Sequence, residues 1–170
     1  MDCTVNDHLV TVAPGVTVRF VVPPDSTEPN AVALGRGEYP STIRPLITTL
    51  RACAAPGARV LDLGGYLGGF GLAAAALGYQ VVIVEASEQN ASWIRRSVAA
   101  NAFAHPVRIV QAAVGPTNEH VNFHAHGPWG HVETPEAPAS STAVVRNFLT
   151  TSLPNGWPSA SSTAPLITSR

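Results

Sequence analysis

The 170-residue sequence is poor in charge and in cysteine, and each shortage argues against a class of protein. Charged residues make up 12% of the chain and the formal net charge is -1, so no basic field is available to attract nucleic acid or an anionic membrane. The two cysteines, Cys3 and Cys53, lie far apart and form no CxxC pair. They make no disulfide framework, which is typical of a reducing compartment such as the cytoplasm.

Several sequence signals are also missing. The N-terminal residues include Asp2 and Asp7 and lack the basic-then-apolar pattern of a secretory signal. The most apolar window, FGLAAAALGYQVVIV, is shorter than the ~20 residues that a membrane span needs, and it contains Gln80. No repeat and no GxSxG, SxxK or HExxH motif occurs, which leaves hydrolase functions without support. We therefore expect a cytoplasmic protein that binds neither nucleic acid nor membrane.

Apolar residues are plentiful, at 45% of the chain, and can form the core of about one domain. Residues 9–22 predict two strands joined by a Pro-Gly turn, which is a β-hairpin. The Pro- and Gly-rich stretch 23–40 predicts a loop. Apolar residues at three- and four-residue spacing then predict a helix over 44–55, with Pro45 in its first turn.

Strand-like and helix-like segments alternate between about residues 58 and 115. Buried strands are predicted at ARVLDLG, YQVVIVE and VRIVQAAV, and helices at GFGLAAAALG and SEQNASWIRRSVAANAF. Gly78 is expected to close the first of these helices and Ser87 to cap the second. Strands and helices that alternate with short connections predict an open α/β sheet with parallel strands and right-handed crossovers.

One more strand is predicted at HVNFHAHG, followed by a tail rich in Pro, Ser and Thr. Alternate strand residues share a face, so the strand's three histidines, with His131 nearby, could meet a zinc ion. No carboxylate or cysteine ligand accompanies them, and a solvent-facing strand explains them more simply, so we predict no metal site. The histidines of the strand are His120, His124 and His126.

We expect three parts in the chain. They are an N-terminal β-hairpin and loop over 1–43, an α/β core over 44–133, and a poorly ordered tail over 134–170. Within the tail, the apolar island AVVRNFL predicts a short helical segment.

The stretch VLDLGGYLGGFG, residues 60–71, joins the first core strand to the first core helix. In open α/β sheets ligands bind beyond the carboxyl ends of the strands, and glycine lets the backbone approach a ligand closely. No register satisfies the dinucleotide pattern GxGxxG, and no Gly-Lys-Ser/Thr of a P-loop follows. The pattern present is Asp62-x-Gly64-x-x-x-Gly68. Its glycines could equally serve only a tight turn and close packing of helix on sheet.

The second core strand ends in Glu85. A carboxylate at that position can accept hydrogen bonds from both hydroxyls of a ribose. Alone, such a residue is usually a solvated acid at a strand end. After a glycine-rich turn of this kind, it indicates a site for a nucleoside.

The segments LDLGGYLG, VVIVEASEQN and AAVG together resemble class I S-adenosylmethionine-dependent methyltransferases, and most closely the FkbM type. That family reads acid-x-Gly-Ala-Asn-x-Gly, then Glu-Pro with a nearby Asn, a later Asn in the next helix, and Ala-Val-Gly-Asp after the third strand. The resemblance spans about Gly35 to Gly130 and implies an open, mostly parallel Rossmann-like sheet. The matching positions are Asp62, Gly64, Gly68, Glu85, Asn90, Asn101 and Ala112 to Gly115.

The resemblance implies S-adenosylmethionine as the cofactor and gives roles to particular positions. The turn glycines would lie against its methionine part, with the first acid reaching its amino group directly or through water. Glu85 would hold the ribose, and the end of the third strand would border the adenine. A sulfonium cation with an ammonium group also favours a site that carries carboxylates. The implied cofactor-binding residues are Asp62, Gly64, Gly65, Gly68, Glu85, Gln111 and Ala112.

The sequence departs from the family at several positions. Tyr66 stands where the family prefers Asn, Ala86 replaces Pro, Pro116 replaces Asp, and no Asp-x-Glu-Gly motif follows Gly115. We therefore expect a C-terminally incomplete sheet, in a chain that is truncated or needs a partner subunit. An exposed sheet edge would then favour self-association.

The expected function is methyl transfer to a hydroxyl of a small molecule or sugar, with the catalytic residues unknown. One alternative is a catalytically inactive remnant or partner subunit that keeps the cofactor-binding fold. A less favoured one is an NAD-dependent oxidoreductase, because the GxGxxG pattern is missing.

Overall fold

A computed structural model describes residues 6–116, 119–124, 131–133 and 141–147. The α/β class and the N-terminal hairpin predicted from the sequence are confirmed. In chain order the elements are β1 (Asp7–Ala13), β2 (Val16–Val21), α1 (Pro29–Gly35), α2 (Arg44–Cys53), β3 (Arg59–Leu63), α3 (Gly69–Ala76), β4 (Gln80–Glu85), α4 (Glu88–Ala99), β5 (Arg108–Gln111), β6 (Ala113–Val114), β7 (Glu119–His124), β8 (His131–Glu133) and β9 (Ser141–Arg146).

The hairpin of β1 and β2 is antiparallel and turns at the predicted Pro-Gly dipeptide, where Gly15 has a φ of 73°. Its fully buried side chains include Val10, Val18 and Phe20. β2 contacts both α3 and α4, and α3 also contacts the parallel strands β3 and β4. Helix α3 is therefore covered on more than one side, which is why apolar residues occur all around it.

The prediction of a loop over 23–40 is wrong in part, because this stretch contains α1. Pro29 begins the helix, where its missing N–H breaks no hydrogen bond and its fixed φ suits the first turn. Ala31 and Leu34 lie three residues apart and are buried against the hairpin core. A helix of two turns with two buried residues is too short to show periodicity within a Pro- and Gly-rich segment.

Strands β3, β4 and β5 form a parallel sheet with β4 in the centre, connected through α3 and α4. This arrangement confirms the predicted alternation of strands and helices. Gly78, with a φ of 87°, follows α3 as expected of a helix end. Ser87 caps α4, since its Oγ accepts a hydrogen bond from the N–H of Asn90 at 3.3 Å.

Side chains of the parallel strands alternate between two buried faces. Val60 and Ile83 lie on one face and join the main core with α3 and α4. Leu61, Val82 and Val84 form a smaller cluster on the other face. Burial on both faces explains why these strands read as continuous apolar runs.

The predicted third core strand, residues 107–114, is divided between two sheets. β5 ends the parallel sheet, whereas β6 pairs with β9 in a second sheet of order β6-β9-β7-β8. β7 confirms the strand predicted at the histidines, but the helical segment predicted within 143–149 is wrong, because β9 is a strand. Its β-branched residues suit a strand, and its partner β7 is distant in the chain. The rest of the predicted tail lies outside the described residues.

Candidate functional site

The carboxyl ends of the three parallel strands bring together four of the predicted site residues. Glu85 and Gln111 end β4 and β5 and lie opposite each other in register, and Asp62 lies near the end of β3. The N–H of Ala112 donates to the carbonyl of Glu85 at 3.1 Å. The structure thus gathers these residues at one edge of the sheet, and their contact with a cofactor stays a prediction.

The carboxylate of Glu85 is held by three N–H groups of the protein. Its Oε2 accepts from the backbone N–H of Tyr66 at 2.8 Å, and its Oε1 accepts from the backbone N–H of Ser87 at 2.9 Å. The side-chain amide of Asn90 donates to the same Oε1 at a longer 3.4 Å. These three hydrogen bonds fix the orientation of the Glu85 carboxylate. Because an ionised carboxylate offers about four lone-pair sites, it can still accept another hydrogen bond.

Asp62 is fully buried and supports the turn from inside. Its Oδ2 accepts a hydrogen bond of 3.0 Å from the backbone N–H of Gly71, in the first turn of α3. A carboxylate there is favoured by the positive end of the helix dipole. Asp62 therefore joins strand to helix, and its predicted contact with the cofactor's amino group stays a prediction.

The turn glycines have two different physical roles. Gly64 and Gly68 have φ angles of 76° and 77°, which L side chains rarely adopt. The N–H groups of Gly64 and Gly65 both donate to the carbonyl of Val84, at 2.9 and 3.0 Å. A Cβ on Gly65 would collide with the side chain of Ile83, so this glycine permits close packing on the sheet. Turn geometry and packing thus explain part of the pattern, and backbone contact with a cofactor stays a prediction.

Tyr66, between these glycines, has a φ of 52° and is the one non-glycine residue of the described ranges with a positive φ. Asn is enriched in this conformation and bulky residues are rare, which gives a physical reason for the Asn of the FkbM pattern at this position. Burial, with the carboxylates of Glu28 and Glu85, raises the pKa of the Tyr66 phenol, and the Ser26 side chain opposes that rise.

Tyr39 is a site neighbour that the sequence analysis did not single out. Its hydroxyl donates to the carbonyl of Gly69 at 3.1 Å, at the start of α3, and the residue is buried. Burial, together with the nearby charge of Asp62, raises the pKa of Tyr39 far above its ordinary range. The guanidinium of Arg44, 5.5 Å from the ring centre, partly opposes this rise. No local pattern could reveal this contact, because 30 residues separate its partners.

Asn101 fits the order of the family pattern, but the structure uses it at the hairpin. Its side chain accepts from the backbone N–H of Arg19 at 2.9 Å and donates to the carbonyl of the same residue at 2.7 Å. Ser97 Oγ accepts from the N–H of Val21 at 2.9 Å. Side chains at the end of α4 thus act as hydrogen-bonding partners for the edge of β2.

The predicted strand of histidines is present as β7, and His124 lies opposite His131 of β8 in register. His126 lies outside the described residues. In the described part of the chain, no three His, Cys, Asp or Glu residues are arranged to hold a metal ion. Within the same ranges, no helix combines the length and apolar character needed to cross a membrane.

No protein-family model and no curated protein matches the sequence. Solved structures similar to it include the Pyrococcus abyssi tRNA (uracil-54, C5)-methyltransferase in complex with S-adenosyl-L-homocysteine, at 20% identity and a TM-score of 0.39, over 55% of this chain and 22% of that one. Another is a SAM-dependent methyltransferase from Agrobacterium tumefaciens, at 21% identity and a TM-score of 0.40, over 62% of this chain and 32% of that one. The chain thus spans about a third or less of the length of each.

Proposed function

We propose that the carboxyl ends of β3, β4 and β5 bind S-adenosylmethionine and that the chain functions in methyl transfer. The observation that carries the proposal is the Glu85 carboxylate, held in a fixed orientation beside the turn that Gly64 and Gly68 shape. A fixed acceptor suits the paired hydroxyls of a ribose, because no ordering of the side chain is needed on binding. Gln111 extends the site on the neighbouring strand, where the adenine would lie.

The charges at these strand ends also suit the cofactor. Asp62 and Glu85 are both carboxylates, and S-adenosylmethionine carries a sulfonium and an ammonium group. In methyl transfer the S–C bond breaks as the new bond to the acceptor forms, and the sulfur keeps the electron pair as a neutral thioether. Catalysis of this displacement depends chiefly on in-line positioning, with a base to take the proton when the acceptor is a hydroxyl.

The finer proposal is an FkbM-type enzyme that methylates a hydroxyl of a small molecule or sugar. Its support is the order of motif residues and the φ of Tyr66, which makes the turn conformation one that Asn adopts readily. Transfer of a labelled methyl group to sugars and small alcohols tests this proposal. Transfer to nitrogen or carbon acceptors only would contradict it.

The binding experiment is a calorimetric titration of the folded protein with S-adenosylmethionine. Replacing Glu85 by Gln should weaken binding roughly tenfold or more, because one acceptor oxygen becomes an amide that faces N–H donors. Gln111→Ala, at an exposed strand end, should weaken binding severalfold without disturbing the core.

Glu88→Gln is the matched control for the Glu85 variant. Glu88 is an exposed carboxylate on α4 whose side chain pairs with Arg95 at 2.8 Å. Its replacement removes the same charge and should leave binding within about twofold, as expected for a screened surface charge. Failure of the soluble, folded wild type to bind would contradict the proposed function.

A second candidate is a domain that keeps the fold without catalysing transfer. The observation in its favour is that the turn and the Glu85 carboxylate are already hydrogen-bonded within the protein, so the fold needs no ligand to satisfy them. Binding of S-adenosylmethionine without transfer to any acceptor would support this candidate.

Tighter binding of NAD than of S-adenosylmethionine would instead favour the NAD-dependent oxidoreductase. Self-association at a sheet edge is a separate proposal, which a monomeric mass by light scattering would contradict.

A further inference from the structure

The direction of the backbone hydrogen-bonding groups alternates along β1 of the N-terminal hairpin. The N–H of Val22 donates to the carbonyl of Asn6 at 3.2 Å, and these two residues continue the register of the hairpin. In an antiparallel pair every second residue directs both its N–H and its carbonyl to the partner strand, and the residues between direct both away. Asp7, Leu9 and Thr11 therefore direct their backbone groups away from β2.

The outer edges of the two hairpin strands differ in their partners. On β2 the outward backbone groups belong to Arg19 and Val21, and the side chains of Asn101 and Ser97 bind them at 2.7–3.5 Å. On β1 the outward groups of residues 7, 9 and 11 have no hydrogen-bond partner within the described ranges. The protein thus closes the edge of β2 itself and leaves the edge of β1 able to pair with another strand.

The edge of β1 also exposes an apolar side chain. Leu9 is 56% exposed, and Thr11 is exposed on the same face of the hairpin. Asp7 is a charge that could discourage pairing at an edge, but its carboxylate is paired with Arg19 of β2 at 3.2 Å. Gly37 lies beside this edge, since a Cβ added to it would be 3.4 Å from the carbonyl oxygen of Leu9, and glycine places no side chain over that acceptor.

We propose that a second copy of this chain adds its own β1 to this edge, antiparallel and about a two-fold axis. The β-bulge between Thr11 and Ala13 ends the regular edge, which leaves residues 7–11 to pair. One register pairs the whole of residues 7–11 with itself, and it sets Leu9 opposite the partner's Leu9. Outward groups then face outward groups, so that residue 7 pairs with residue 11 of the other copy and residue 9 with residue 9.

The side chains in this register suit two copies of the chain. The leucine pair covers the more exposed of the two large apolar side chains that are exposed in the described ranges. Asp7 lies opposite the partner's Thr11, and the two Arg19 residues are three strand spacings, or about 14 Å, apart. No like charges are therefore opposed. The pairing is expected to be weak, because so short an edge covers much less than the about 1,200–2,000 Å² of a stable interface.

The test measures the mass of the full chain by analytical ultracentrifugation from about 10 μM to about 1 mM, a range suited to a weak interface. The mass should rise from 17.7 kDa towards twice that value. Leu9→Glu sets a carboxylate opposite Arg19 within one chain, which suits the monomer, and opposite its own copy in the dimer. We expect the dissociation constant of the dimer to rise roughly tenfold or more.

Val114→Glu is the matched control, because it makes the same change at the other exposed large apolar side chain, which is 51% exposed. Its dissociation constant should stay within about twofold of the wild type. A mass that stays that of one chain would overturn the inference. A dimer that Leu9→Glu leaves unchanged, or that both variants weaken equally, would overturn it as well.

Hydrogen exchange tests the register without a variant. The amides of Leu9 and Thr11 should exchange rapidly in dilute protein and several times more slowly in concentrated protein, because the partner strand then binds them. The amide of Val10, directed to β2, should be protected at both concentrations. Exchange at Leu9 and Thr11 that does not change with concentration would overturn the inference. None of these outcomes affects the proposed function, which ligand titration of dilute protein tests separately.

Discussion

Two regions of the molecule hold polar side chains against backbone, and they do so with different chemistry. At the hairpin, Ser97 of α4 and Asn101, just after the end of that helix, bind the edge of β2 with neutral groups. At the turn between β3 and α3, the side chains are the carboxylates of Asp62 and Glu85. At the hairpin each side chain both accepts from and donates to the backbone of one residue of β2, whereas the Glu85 carboxylate only accepts and has about four acceptor sites for its three donors.

We infer from this difference that the hairpin contacts stabilise the fold, whereas the carboxylates at the turn can also bind a ligand. Asn101 fits the family's order of residues as well as Glu85 does, and the structure gives it a contact with Arg19 of the hairpin. Variants in the two regions should therefore have separable effects. Those at the turn should change stability and ligand binding together, and those at the hairpin should change stability alone.

The largest effect is expected at Gly71, whose added Cβ would lie 2.7 Å from two carbons of Ile83 and 2.9 Å from Asp62 Oδ2. Gly71→Ala should lower the free energy of unfolding by about 2–3 kcal/mol, because overpacking forces α3 away from the sheet. The same shift should weaken ligand binding. Chemical denaturation and a parallel titration measure the two effects.

Gly35→Ala is the matched control, since the nearest atom to its added Cβ is 3.6 Å away, an ordinary contact. Its stability should stay within about 0.5 kcal/mol of the wild type. An equal loss at both glycines would show that the approach of α3 to Ile83 is not what Gly71 permits.

Asn101→Ala tests the hairpin side of the comparison. It removes a side chain that satisfies both backbone groups of Arg19, and we expect a loss of about 1–2 kcal/mol in the free energy of unfolding. Ligand affinity should be unchanged. Asn30→Ala, which removes an exposed hydrogen bond with Thr42, should cost less than about 0.5 kcal/mol. Loss of affinity in a folded Asn101→Ala protein would break the separation between the two regions.

The smallest effect near neutral pH is expected at Tyr39, on the turn side. Burial raises the pKa of its phenol in the folded state above the unfolded value, which is about 10. The resulting stability is therefore fully present below pH about 10 and is lost as the pH rises further, because the unfolded chain then releases the proton more readily. Denaturation at pH about 8 and about 10.5 measures this loss, which should be smaller in Tyr39→Phe. An equal loss of stability at high pH in both proteins would show that Tyr39 is not its cause.

The sequence predicts the elements whose cause is local. Alternation of apolar strands and helices gives β3 to β5 with α3 and α4, and the position of Glu85 after its strand places it at the sheet edge. The sequence does not predict helix α1, because only two of its residues are buried. It does not predict β9, because this strand pairs with β7, which lies far from it in the chain. The contact of Tyr39 with Gly69 also joins segments that are distant in the chain.

The carbonyl of Val84 has a consequence for how the site responds to a ligand. It accepts the N–H groups of both Gly64 and Gly65, and the next residue, Glu85, binds the N–H of Tyr66. Three successive amides of the turn are thereby hydrogen-bonded to the end of the neighbouring strand, which joins the two segments. A ligand that touches both would meet a surface assembled in advance, and the entropy lost on binding would fall mainly on the ligand itself.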